Sequence, residues 1–185
     1  MAAAEKNAFE ILGLPVSLAI DPAEIESAWQ GLSREAHPDN AGSGDSDRAA
    51  EINRAREMLR TPGARLRHWL EIRGREIPRN ASLNDKLMTQ FSEVGALLAE
   101  TDTFLEKKKA ATSAIAKAIL AEEEFAVQKS VQEKMGDLKS QIDGIEARFP
   151  ELEADEDEAV RGLERLRFVE KWNAQLQDRL VAILM

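Results

Sequence analysis

The chain of 185 residues contains no cysteine, which excludes disulfides, thiolate metal sites and thiol nucleophiles. Tyrosine is also absent, and phenylalanine and tryptophan together make up 5% of the residues. β-Branched residues are sparse, and no segment alternates with a period of two for long, so nothing reads as a sheet. Basic charge is in short supply: 25 Lys and Arg face 34 Asp and Glu, for a net charge of −9. General nucleic-acid binding needs a basic surface and is not expected. Only two histidines occur, His37 and His68, far apart and without cysteine, so no metal site is expected. No apolar run is long enough to span a bilayer, and MAAAEKNAFEILGLP reads as neither a signal peptide nor an Arg-rich transit peptide. The expectation is a cytoplasmic protein without cofactor, nucleic-acid partner or membrane partner.

What is abundant is Ala, Glu, Leu, Lys and Arg, the strong helix formers, and the whole chain reads as α-helical. Asn7–Leu12 is a short helix ended by Gly13 and Pro15. In DPAEIESAWQGLSREA, Asp21 is suited to the N-cap, Pro22 to the first helical position and Glu24 to a capping-box-like role. Ile25, Ala28, Trp29, Leu32 and Ala36 then share one face. Pro38 ends this helix by pushing His37 out of the α region. After the loop, Ser46 or Asp47 can cap a third helix striped by Ile52, Ala55 and Leu59. Thr61-Pro62 starts a fourth, with Leu66, Trp69 and Leu70, which Gly74 stops. GREIPRNAS reads as a linker, placing a domain boundary near Pro78.

The rest of the chain holds a single proline, Pro150. Ser82 or Asp85 can cap a helix bearing Leu83, Leu87, Phe91, Val94 and Leu98. Thr101–Thr103 reads as a turn, with Thr103 capping the next helix. Val131, Met135, Leu138, Ile142, Ile145 and Phe149 alternate spacings of four and three, the heptad signature. PELEADED reads as a loop. A last helix from about Asp157 carries Leu163, Leu166, Val169, Leu176, Leu180 and Ile183. Three long helices with short loops make an antiparallel bundle or coiled coil.

His37, Pro38 and Asp39 therefore stand between two antiparallel amphipathic helices, after a short helix reading FEILGLP. This arrangement resembles a J domain, the module of DnaJ-type co-chaperones. EINRAREMLRTPGARLRHWLEIRG narrows the resemblance to the HscB-type co-chaperones of iron-sulfur cluster assembly. It carries that family's pattern at Ile52, Asn53, Ala55, Leu59, Pro62, Arg65, Leu70 and Gly74. KLMTQF and LERLRFVEKW are similar to segments of the family's C-terminal bundle. The fold implied is all-α: a J domain over residues 1–76 and a three-helix bundle over 77–185.

By this resemblance the chain is not an enzyme. It recruits and stimulates a DnaK/HscA-type ATPase chaperone and delivers to it an iron-sulfur scaffold protein of the IscU type. Docking on the ATPase falls to His37, Pro38, Asp39 and Arg34. Pro38 fixes the backbone, His37 offers ring donor and acceptor groups, and Asp39 offers a carboxylate suited to an arginine. Client binding falls to Leu87, Met88, Phe91 and Phe168.

The sequence departs from the family pattern in three places. Arg34 is the only base in its helix, and Ala36 stands where J domains usually carry an aromatic. Basic charge collects instead over residues 54–79, with eight arginines against three glutamates. Around Met88 and Phe91 the expected acids are missing: Ser92, Gly95 and Ala96 stand there, with Glu93 the only acid nearby. Two rival readings follow: a J-domain co-chaperone for another client, and a coiled-coil interaction protein with a degenerate J domain. A hydrolase using His37, Asp39 and Ser33 is disfavoured, because adjacent residues cannot readily adopt triad geometry. AGSGD lacks the lysine and the strand–turn–helix setting of a phosphate loop.

Overall fold

The computed structural model describes residues 6–36, 45–78 and 85–185. Among them are eight helices and no strand. Two compact units emerge, Met1–Arg79 with Glu146–Leu163, and Asn80–Ile145 with Glu164–Met185.

In the first unit, helix α1 (Ala8–Leu12) opens on a true capping box. The Asn7 side chain accepts from the Glu10 N–H at 3.1 Å, and the Glu10 carboxylate accepts from the Asn7 N–H at 3.0 Å. Gly13, at φ 69°, closes the helix in the left-handed region that favours glycine. Helix α2 (Pro22–Glu35) starts with Pro22 in the first turn and Asp21 accepting from the Ala23 N–H at 2.8 Å. The reciprocal box expected with Glu24 is not formed there; it belongs to α1. Ile25 and Ala36 are buried, and Ala28, Trp29 and Leu32 are half-buried, as their spacing requires.

Helix α3 (Asp45–Arg60) begins before Ser46 and Asp47, so both lie in its first turn and neither caps it. Its Ile52, Ala55 and Leu59 are fully buried. Helix α4 (Pro62–Ile72) is capped by Thr61, whose hydroxyl accepts from the Ala64 N–H at 3.2 Å. Leu66, Trp69 and Leu70 enter the core, and Gly74 ends the run at φ 68°. His68 is also buried: its Nε2 accepts from the Ala8 N–H at 3.0 Å, and its ring stacks on Phe9.

The PELEADED stretch is more ordered than a plain loop. It contains a short helix α7 (Phe149–Leu152), with Phe149 and Leu152 buried. The Glu153 carboxylate accepts from the Ser17 hydroxyl at 2.8 Å and from the Leu18 N–H. Asp155 caps helix α8 (Glu156–Leu184), accepting from the N–H groups of Asp157 and Glu158 at 3.1 Å each. Arg65, only 1% exposed, donates to the Ile20 carbonyl at 2.6 Å and to Glu146, and its guanidinium lies 5.3 Å from the centre of the Phe149 ring.

The second unit is built from α5 (Asp85–Ala110), α6 (Ala114–Glu146) and most of α8. Helix α5 runs straight through Thr101–Thr103, where the sequence suggests a turn. Thr101 and Thr103 donate their hydroxyls to the carbonyls of Leu97 and Ala99, at 2.7 and 2.8 Å, satisfying themselves within the helix. The break comes later. Ser113 caps α6, accepting from the Ala116 N–H at 3.1 Å. Ion pairs Lys107–Glu123 and Glu93–Lys134 run in opposite senses along α5 and α6, which are antiparallel. Asp102–Arg179 and Phe91–Trp172 run in the same sense, so α5 and α8 are parallel. The core holds Leu87, Val94, Phe104, Val127, Val131, Leu138, Val169, Trp172, Leu176 and Ile183.

Candidate functional site

Two sites were expected, one in each unit. The first depends on the α2–α3 hairpin. Trp29 Nε1 donates to Asn53 Oδ1 at 2.8 Å, and Arg56 holds Glu26 at 2.9 Å and lies 4.4 Å over the Trp29 ring. Residues 29 and 26 thus face 53 and 56, an antiparallel register that fixes one helix against the other. The hydrogen bond to Glu26 also raises the Arg56 pKa above its ordinary value. Ala36 is the C-cap of helix α2, its N–H donating to the Leu32 carbonyl at 3.0 Å.

The next three residues in the chain, His37, Pro38 and Asp39, lie outside the described residues. Arg34 is described: it is exposed in the last turn of α2, with Nε donating to the Gln30 carbonyl at 3.2 Å. The arginine-rich run after it has a substantial structural share. Arg56 is tied to Glu26 and Trp29, and Arg65 is buried. Arg73 stacks 4.1 Å over Trp69 and meets Glu156 at 3.6 Å, and Arg75 pairs with Asp157.

The second site lies on α5 and α8. Met88 and Phe91 are exposed, 47% and 54%, one turn apart on α5. Phe91 and Phe168 both meet the Trp172 ring, with centroids 6.5 and 5.7 Å apart. Met88, Phe91 and Phe168 are the surface apolar residues of two helices, the two phenylalanine rings resting on the buried Trp172. Leu87 is different: at 6% exposed it sits in the core beneath and has almost no surface to offer. Trp172 is the residue that sequence reasoning passed over. Its signal was present, since Phe168 and Trp172 are four apart and share a helix face. Little charge stands around Met88 and Phe91. Glu93 is taken by Lys134 at 2.8 Å, and Ser92 returns its hydroxyl to the Met88 carbonyl at 3.1 Å.

His68 belongs to neither site. Burial pushes its imidazole below the ordinary value of 6.5, against the opposing pull of Glu71. Among the described residues no group of carboxylates and histidines could hold a metal ion, and no helix is long and apolar enough to cross a membrane.

No family model matches the chain. A co-chaperone protein HscB homolog of Chromobacterium violaceum is 34% identical over 73 residues, covering 36% of this chain and 42% of that protein. One from Cupriavidus taiwanensis is 36% identical over 76 residues, covering 37% and 43%. These matches span less than half the length of the relatives. A third, from Shewanella halifaxensis, is 29% identical over 185 residues and covers 96% of both chains. The chain is thus similar in sequence to HscB co-chaperones, at low identity over nearly its whole length. Two solved HscB structures share the fold. Chaperone HscB from Vibrio cholerae superposes with a TM-score of 0.61 at 19% identity, covering 94% of this chain and 96% of that one. The human co-chaperone HscB gives 0.63 at 20% identity, covering 95% and 82%. The architecture is that of HscB: all-α, with an N-terminal J-like domain and a C-terminal helical domain.

The residues read in the sequence as the family-like pattern are largely ones that build the first unit. Ile52, Ala55, Leu59 and Leu70 fill its core, and Asn53 receives the Trp29 indole. Pro62 starts α4, Gly74 ends it, and Arg65 is the buried staple.

Proposed function

We propose that this chain is a co-chaperone. Residues 1–76 dock on a DnaK/HscA-type ATPase and stimulate ATP hydrolysis there, and residues 77–185 hold an iron-sulfur scaffold protein of the IscU type as client. The observation that carries the reading is the alignment with an HscB homolog over 96% of both chains. The fold and the His37-Pro38-Asp39 sequence at the end of α2 support it.

The chemistry of docking follows from residue type. Pro38 is a residue type that cannot continue a helix. Asp39 forms a charge-assisted, bidentate contact with an arginine of the ATPase, and His37 adds a ring donor and acceptor. Arg34 supplies local positive charge that helps steer the encounter. The client sits on Met88, Phe91 and Phe168, with Trp172 backing the two phenylalanines and Leu87 supporting them from the core. Methionine and aromatic rings give such a face both adaptability and large contact area.

Calorimetric titration with the iron-sulfur scaffold of the same organism tests the client half. Wild type is expected to bind, and a Met88→Ala, Phe168→Ala double variant is expected to lose at least tenfold in affinity, on the order of 1–2 kcal/mol for each truncated contact. Absence of binding by wild type to a folded scaffold removes the scaffold as client. It would favour a co-chaperone for another client, a second reading supported by the scarcity of free acids around Met88 and Phe91.

A further inference from the structure

Helix α6 is apolar on two faces over its first turns. One face, with Leu120, Val127 and Val131, is packed into the bundle. The opposite face is bare. Ile115 is 75% exposed, Ile119 72% and Phe125 70%, the most exposed large apolar side chains in any helix among the described residues. At 100° per residue, these three project from the same half of the helix as Ala118 and Ala126. This face carries one acid in its apolar stretch, Glu122, and then Lys129 followed by Glu133. Further along the same face stands Gly136, whose missing side chain would meet nothing within 4 Å.

We infer that this face docks against the same face of a second copy, as an antiparallel, two-fold α6–α6 pair. Charge complementarity selects both the occupant and the register. Placing the two-fold axis midway between Glu122 and Lys129 sets each Glu122 against the Lys129 of the partner copy, twice. The same register puts Ile115 at the height of the bare backbone at Gly136, Ile119 at that of Gln132, and the two Phe125 rings side by side at the two-fold axis. A small residue opposite a large one, as at Gly136 and Ile115, allows the close approach of packed helices, about 8–10 Å between axes. Lys129 is available for the exchange, since in the single chain it reaches only Glu133 on its own helix, at 3.8 Å with both side chains exposed. A contact over these turns buries roughly 500 Å² on each partner, the low end for a specific interface, and gives a reversible, micromolar dimer. An isologous contact closes on itself and does not propagate into fibres.

Sedimentation velocity on the full chain from about 1 to 200 µM is the test, with circular dichroism as a check that each variant is folded. Wild type is expected to pass from monomer to dimer across this range. Phe125→Asp is expected to remain monomeric at the top concentration. Glu122→Lys alone, which sets Lys against Lys, is expected to weaken the dimer about tenfold, and the double swap Glu122→Lys, Lys129→Glu to restore it. A wild type that stays monomeric at 200 µM overturns the inference. So does a dimer indifferent to Phe125→Asp, and so does a double swap that fails to restore pairing.

Discussion

At the scale of single residues, two buried polar side chains carry more of the first unit than the sequence reveals. His68 accepts the Ala8 N–H through Nε2, a bond only the neutral ring can make. Burial holds its pKa below 6.5, while the unfolded chain titrates near the ordinary value. Between these values the unfolded state binds more protons, so stability rises with pH. The contribution of His68 is complete above about pH 6.5 and is lost as the pH falls through that value toward the folded pKa. Denaturant titrations at pH 7.5 and 5.5 are expected to show a larger acid loss for wild type than for His68→Gln, which keeps an acceptor near the Nε2 position but cannot titrate. Equal losses would mean that the ring is not a titrating cap.

Arg65 is the second such residue. It sits in the family-like pattern, but nothing in its spacing announces that a guanidinium is to be buried. Its partners, Ile20, Glu146 and Phe149, come from distant parts of the chain. Arg65→Met is expected to lower unfolding stability by about 2–4 kcal/mol, because Glu146 and the Ile20 carbonyl lose their donor. A change within experimental error would show that the apolar stem of Arg65, and not its charge, is what matters.

At the scale of elements, the helix boundaries with local punctuation were legible and the break between α5 and α6 was not. Asp21-Pro22 and Thr61-Pro62 read correctly as starts, and Gly13 and Gly74 as stops, because cap and turn chemistry is local. The Thr101–Thr103 turn was misread for an equally local reason. Threonine and aspartate are poor helix formers, but burial of Thr101 and the back-bonded hydroxyls overrode propensity. The true break at 111–113 was hidden behind alanines, which favour a helix, and only Ser113 marked it. Ser113→Ala is expected to cost about 1 kcal/mol by removing the α6 cap, measured as a shift in the denaturation midpoint. Thr103→Ala, by contrast, is expected to change stability little, since it caps nothing. A larger loss at Thr103 than at Ser113 would reverse this assignment.

At the scale of the whole molecule, the heptads of α6 and the stripe of α8 were enough to place a three-helix bundle after an N-terminal hairpin. Helical phase alone could not say which apolar residues face a neighbour. Leu87 and Phe91 share a stripe in the sequence, yet Leu87 is in the core and Phe91 is exposed. It likewise could not show that Glu146–Leu163 packs with the N-terminal residues, because Arg65 and Glu153 make those contacts across long separations.

The residues proposed for docking and those proposed for client binding belong to different units, so the two functions are expected to fail separately. The most direct measurement is single-turnover ATP hydrolysis by a DnaK/HscA-type ATPase of the same organism, with wild-type chain or His37→Gln added. Stimulation by wild type that His37→Gln loses by at least tenfold, with Met88→Ala, Phe168→Ala still stimulating in the absence of client, is the expected result. Equal rates with wild type and His37→Gln would contradict a co-chaperone role that works through His37-Pro38-Asp39.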